Sequence, residues 1–129
     1  MTTTDAVWLY ASLYIFLLLV LTYRVIRVRF SSRVSIGDGG NVDLIRRARA
    51  QANFVEYAPF MMLGLIGVSA LAPSLLAIHI LGGAFLIARI CHAIGMSSDK
   101  RIKFRQVGML LTLICLAALA LYLLVFSIF

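Results

Sequence analysis

Charge is what this chain has least of. Only 13% of its 129 residues are charged, where a soluble globular domain carries about 25%. Apolar residues reach 63% and the mean hydropathy is +1.03, more apolar surface than a small soluble sphere can hide. An ordinary soluble domain is thereby excluded. Cysteine is nearly absent as well. Cys91 and Cys115 lie in apolar stretches, form no CxxC pair and have no third cysteine to complete a metal site. That excludes a disulfide framework and a cysteine metal centre, so no metal is expected and both read as small buried hydrophobes. The opening Met1-Thr2-Thr3-Thr4-Asp5 lacks a basic region, and no Ala-x-Ala site follows the first apolar stretch. This stretch is expected to be a retained membrane helix and not a signal peptide. No repeat, low-complexity tract or linker interrupts the sequence, so residues 1–129 are expected to form a single domain.

What is present is four apolar stretches, Val7–Tyr23, Phe54–Ala72, Leu75–Ile94 and Val107–Phe129. Each approaches the roughly 20 residues that a helix needs to cross the hydrocarbon core. Short connections favour an up-down bundle. The expected fold is therefore an all-α integral membrane protein, a four-helix transmembrane bundle with helices near 5–30, 42–72, 74–95 and 99–127. The turn Ile36-Gly37-Asp38-Gly39-Gly40-Asn41 separates the first two, with Asn41 or Asp43 capping the second. Pro59 falls inside the second helix and is expected to kink it. Gly82 and Gly83 point weakly to close helix contact. Trp8, Tyr10, Tyr14 and Phe16 read as an outer aromatic belt and lipid-facing packing.

All twelve Lys and Arg residues fall around the first and third connections, and Ser69–Ser74 and the C-terminal end carry none. The positive-inside rule then places connections one and three in the cytoplasm and both termini outside. Arg24, Arg29, Arg33, Arg47, Lys100 and Lys103 read as anchors on anionic lipid headgroups. The basic residues thus point to membrane lipids, and no nucleic-acid partner is expected.

Arg49, Asn53 and Glu56 stand at i, i+4 and i+7, one stripe of a helix of about 3.6 residues per turn, immediately before a long apolar run. A lipid-facing helix would not tolerate that row, so something polar must face it. The other helices offer polar residues at a similar depth: Arg27 on the first, Arg89 and His92 on the third, Arg101 and Arg105 at i and i+4 on the fourth. Together with Tyr57 they suggest a cationic pocket holding one buried acid. Plainer roles remain open: Glu56 pairing with Arg49 or Arg89 to close an internal network, Arg101 as a lipid anchor, His92 as polar packing. His79, mid-helix and away from the rest, has no assigned role. A pocket of this kind suits a ligand with several carboxylates and one amine, the arginines meeting the carboxylates, Glu56 the ammonium and Asn53 an amide. Glutathione has that inventory, and its thiolate would be favoured beside Arg105.

The sequence Arg-x-x-x-Asn-x-x-Glu-Tyr-x-Pro, here Arg49, Asn53, Glu56, Tyr57 and Pro59, resembles the signature of the MAPEG family, the membrane-associated proteins of eicosanoid and glutathione metabolism. Arg27-Val28-Arg29, Arg89-x-x-His92 and Arg101-x-x-x-Arg105 resemble family patterns on the other three helices, so the likeness spans the chain. The glycine-rich turn resembles a bacterial branch, which implies a bacterial inner membrane. The resemblance implies a homotrimer that binds glutathione as co-substrate between subunits near the cytoplasmic side. Arg49, Asn53, Glu56 and His92 would hold the tripeptide, with Tyr57, Arg89 and Arg101 beside them and Arg27 reaching in from the adjacent subunit. Arg105 would activate the thiol, and a lipophilic small molecule would arrive from the bilayer. Met96 departs from the tyrosine that the family's prostaglandin and leukotriene synthases carry at the matching position, and Gln106 and Met109 depart from the serine and tyrosine of the prostaglandin synthase.

Two functions follow from that resemblance. One is glutathione S-transfer to a lipophilic electrophile, with peroxidase activity on hydroperoxides as a further reaction. The other is a non-catalytic protein of the same fold that binds a lipid or amphiphile. A small proton-coupled exporter of this size relies on a membrane-embedded acid in its first helix; here no acid follows Asp5 in that helix.

Overall fold

The computed structural model describes residues 1–128. Four helices follow one another: α1 (Thr3–Ser32), α2 (Val42–Leu71), α3 (Leu75–Gly95) and α4 (Ile102–Ile128), with a single 3-10 turn, Asp99–Arg101, leading into α4. All four segments are long and apolar enough to cross a membrane.

Local chemistry sets each start and stop. Thr2 caps α1 reciprocally with Asp5: the Asp5 N–H donates to Thr2 Oγ1 at 3.1 Å, and the Thr2 N–H donates to the Asp5 carboxylate at 2.7 Å. The helix ends at Arg33, left-handed at φ 54°, whose N–H reaches back to the carbonyls of Arg29 and Phe30. Gly37, Gly39 and Gly40 take positive φ and turn the chain. Asn41 then caps α2, accepting from the Leu44 N–H at 3.0 Å. Ser74 caps α3 in the same manner, and Ser98 caps the 3-10 turn. The proline expected to kink α2 is accommodated within a continuous helix that runs through Pro59.

Side-chain contacts between helix ends define an up-down order. The start of α1 lies beside the end of α2, where Ser69 donates to Thr3 at 3.0 Å, and also beside the start of α3, where Tyr10 donates to the His79 carbonyl at 3.1 Å. Tyr122 near the end of α4 donates to the Ala72 carbonyl at 2.9 Å, so α2 and α4 run the same way. The closest pairings are α3 with α4 and α1 with α2.

Missing Cβ atoms explain how close α3 and α4 come. A Cβ on Gly108 would meet the His92 backbone nitrogen at 2.5 Å and the Ala88 carbonyl at 2.6 Å, and one on Gly95 would meet the Arg105 backbone nitrogen at 2.1 Å. Gly64 makes equal room for Leu119, and Gly82 for the ring of Tyr10. Gly83 meets only the Tyr10 hydroxyl, so of the two glycines singled out in the sequence it is Gly82 that seats a neighbour.

The core runs through Tyr14, Phe54, Met61, Leu65, Ile78 and Phe85. Tyr10 and Tyr14 belong to it, contrary to the expected aromatic belt. Tyr14 is 3% exposed, donates to the Gly82 carbonyl at 2.9 Å and packs its ring on Phe85. The pair turns inward because Gly82 leaves space for the Tyr10 ring and the His79 and Gly82 carbonyls give the two hydroxyls partners. Trp8 and Phe16 do face outward. His79 also acquires a role, its Nδ1 lying 3.1 Å from the Tyr10 hydroxyl. Cys115 is buried and Cys91 half-buried, both free thiols. The outer surface is apolar over long stretches, with Leu19, Leu63, Leu76 and Leu110 largely exposed, the pattern of helices solvated by lipid.

Candidate functional site

The nine residues expected at the site divide into two groups. Asn53, Tyr57, Arg89 and His92 come together inside the protomer. Arg27, Arg49, Glu56, Arg101 and Arg105 are exposed on its surface.

The inner group centres on Arg89. Ala88, Arg89, His92 and Ala93 lie on the inward face of α3, and the guanidinium of Arg89 is 1% exposed. Its Nη2 donates to Asn53 Oδ1 at 2.6 Å and lies 3.2 Å from His92 Nδ1. Its Nη1 donates to Thr112 Oγ1 at 3.2 Å, and Thr112 in turn donates to the Gly108 carbonyl at 2.8 Å. Its Cζ stands 5.8 Å from the ring centroid of Tyr57, within cation–π range. Three helices therefore meet on one cation, α2 through Asn53 and Tyr57, α3 through Arg89 and His92, and α4 through Thr112.

Thr112 is the member that the sequence did not reveal. It is fully buried, and one signal does mark it. It lies four residues after Gly108 in the apolar run of α4, on the stripe shared with Cys115 and Leu119.

The expected buried acid is absent from this cluster. Glu56 is exposed and makes no ion pair with Arg49 or Arg89; among the described residues the ion pairs are Arg46 with Asp99 and Arg47 with Asp43. Helix geometry explains the separation. Around the α2 axis, Arg49 and Glu56 stand about 40° and 60° to one side of Asn53, whereas buried Ala50, Phe54, Met61 and Leu65 stand about 60–120° to the other. Asn53 is the inner edge of the polar stripe, and the charged pair looks out of the protomer.

Arg101 and Arg105 are exposed for a different reason. Gly95, the last residue of α3, packs against the backbone of Arg105, so α3 stops level with Arg105 and covers nothing beyond it. Arg101 belongs to the 3-10 turn and not to α4 itself, so the two arginines do not share the continuous helical face expected of them. Arg105 borders a small polar hollow of about 100 Å³ with Arg46, Met96, Ser98 and Asp99. Arg27 projects away from the inward stripe of Leu21, Val25 and Val28. In the described residues the single cationic pocket expected from the sequence is thus a buried three-helix network flanked by an outward-facing charged rim.

A narrow apolar groove of about 240 Å³ runs along α1 and α2 just beyond this region, lined by residues that include Tyr14, Leu18, Phe54, Val55 and Pro59.

A family model described as the MAPEG family matches residues 7–125. The chain is 32% identical over 101 residues, 78% of its own length and 76% of the relative's, to a protein of Escherichia coli (strain K12) named Inner membrane protein YecN. It is similar to the same extent to the protein of that name from Escherichia coli O6:H1. With four membrane-spanning helices, the family's polar signature on α2 and a match along nearly its whole length, this chain belongs to the MAPEG family.

Proposed function

We propose that this protein is a glutathione-dependent membrane enzyme of the bacterial inner membrane, a transferase that attacks lipophilic electrophiles and a peroxidase toward lipophilic hydroperoxides. The observation that carries the reading is the Arg89 network. It holds Asn53, His92 and Tyr57 at one depth, beside a surface stripe that bears Arg49 and Glu56. Charged side chains exposed on a membrane helix need polar surroundings. A second and third copy of the chain would provide them, so a homotrimer with glutathione between subunits fits the stripe. Arg27 of one subunit then faces the polar stripe of the next, with Arg101 at the rim.

In this arrangement the carboxylates of glutathione meet arginines and its ammonium meets Glu56. Arg105 stands beside the thiol. Bringing a thiol from its ordinary pKa of about 8.5 to about 6.5 takes about 2.7 kcal/mol of preferential stabilisation of the thiolate, within the reach of one guanidinium that a neighbouring subunit shields from water. The thiolate attacks the electrophile, the sulfur–carbon bond forms, and the leaving group departs with its electron pair. The basic connections support a site toward the cytoplasm with both termini outside.

A second reading, a lipid- or amphiphile-binding protein without turnover, is favoured by the apolar groove along α1 and α2, whose lining carries no charged residue. Turnover separates the two. Purified protein is expected to conjugate glutathione to chlorodinitrobenzene and to lose that activity on Arg105→Ala. No turnover in either form, with millimolar glutathione leaving thermal stability unchanged, would leave the binding protein as the surviving reading.

A further inference from the structure

We infer that Arg89 is a positioning residue that orients the Asn53 amide and fixes the tautomer of His92: it engages the His92 Nδ1 lone pair and so denies His92 the part of a proton acceptor. The inference deepens the glutathione reading and rests on it for the identity of the ligand, but the hydrogen-bond assignment stands on geometry alone.

A guanidinium has five N–H donors and no acceptor, and it stays protonated in proteins. The contact between Arg89 Nη2 and His92 Nδ1 at 3.2 Å therefore has one possible direction. Nδ1 supplies its lone pair, and a neutral imidazole must then carry its hydrogen on Nε2. The other Nη2 hydrogen goes to Asn53 Oδ1 at 2.6 Å. Asn53 thereby turns its carbonyl toward Arg89, which points its amide N–H₂ the other way. Thr112 locks the geometry from behind. Its one hydrogen is committed to the Gly108 carbonyl, so toward Arg89 Nη1 its oxygen can only accept.

Two consequences follow. The half-buried Asn53 presents its amide N–H₂, a donor, so this edge of the stripe favours the carboxylates of a ligand. The ammonium is better met at the exposed Glu56, which sets the ligand's orientation, carboxylate toward Asn53 and ammonium toward the rim. The second consequence concerns the thiol. When its S–H bond breaks and the electron pair stays on sulfur, the proton passes to solvent water and not to His92, whose lone pair is already engaged.

Imidazole nitrogen NMR of the full chain in detergent micelles tests this. His79→Gln leaves His92 as the one histidine in the spectrum. At neutral pH its signals are expected to show the Nε2–H tautomer; an Nδ1–H tautomer or an imidazolium would overturn the assignment. In Arg89→Met the preference is expected to relax to a mixture of tautomers. Should that variant not fold, Thr112→Val removes only the oxygen that holds Nη1 and is expected to shift the same signals. An unaltered His92 spectrum in whichever variant folds overturns the positioning role. Thermal unfolding with glutathione, and with glutathione esterified at both carboxylates, is read in parallel. Stabilisation by the free acid alone supports carboxylate selection, and equal stabilisation by both overturns it. The Nε2–H tautomer without any glutathione effect retires the glutathione reading and leaves the donor assignment standing, whereas an Nδ1–H tautomer with clear stabilisation does the reverse.

Discussion

Asn53 and Arg89, 36 positions apart in the chain, meet through a 2.6 Å hydrogen bond from guanidinium to amide oxygen. No carboxylate stands within ion-pair distance of Arg89 among the described residues. The buried cation is held by an amide, an imidazole, a hydroxyl and an aromatic face. Such a charge is costly to bury with its hydrogens unsatisfied, and Nε already lacks a partner, so the loss of any further acceptor should be felt in stability.

Asn53→Leu removes the shortest of these bonds. It is expected to destabilise the protein by about 1.5–3 kcal/mol, the usual worth of a hydrogen bond to a charged group. Glu56→Gln, at an exposed residue with no ion pair in the protomer, is expected to stay within about 0.5 kcal/mol of the parent while weakening the stabilisation by glutathione. Thermal unfolding of both variants in detergent, with and without glutathione, separates the structural residue from the ligand-facing one.

Arg105→Ala is expected to slow glutathione conjugation by up to about 100-fold, the rate equivalent of about 2.7 kcal/mol. Its side chain is exposed, so the melting temperature without ligand should hardly move. A conjugation rate equal to the parent's, measured by loss of free thiol, would remove Arg105 from the reaction.

Gly108→Ala forces a methyl into the backbone of His92 and Ala88, neither of which can rotate aside. Overpacking of this kind costs about 1–3 kcal/mol, and it should also disturb Thr112 and thus Arg89. Gly83→Ala meets only the Tyr10 hydroxyl at 3.3 Å and is expected to be neutral or to gain up to about 1 kcal/mol from the better helix propensity of alanine. Equal melting temperatures for the two variants would contradict the close α3–α4 packing.

Tyr14→Phe keeps the buried ring and deletes the hydroxyl that serves the Gly82 carbonyl. A loss of about 0.5–1.5 kcal/mol is expected. Trp8→Phe, at a side chain that is 62% exposed, should leave the unfolding midpoint close to that of the parent.

Much of the membrane architecture could be read directly from the residues. Four apolar runs of spanning length, with the Gly37–Asn41 turn between the first two, name the helices, because hydropathy and capping act over a few neighbouring positions. The polar motif on α2 was equally visible as a stripe. Its division was not. Arg49, Asn53 and Glu56 share a face at low angular resolution, but only the placement of α3 decides that Asn53 meets Arg89 and that Glu56 looks outward. The same holds for Tyr10 and Tyr14, whose composition suits an interface belt but whose hydroxyls found carbonyls on α3.

Sequence alone therefore determined that this is a membrane bundle with its bases gathered at one side and a MAPEG signature at the head of its second span. These are properties of periodicity and transfer free energy, which each segment carries by itself. Tertiary structure decided which polar atoms touch. Hydrogen bonds such as Arg89 to Thr112 depend on interhelical distances of a few ångströms, and those distances are set by glycines whose only message is the atom they lack.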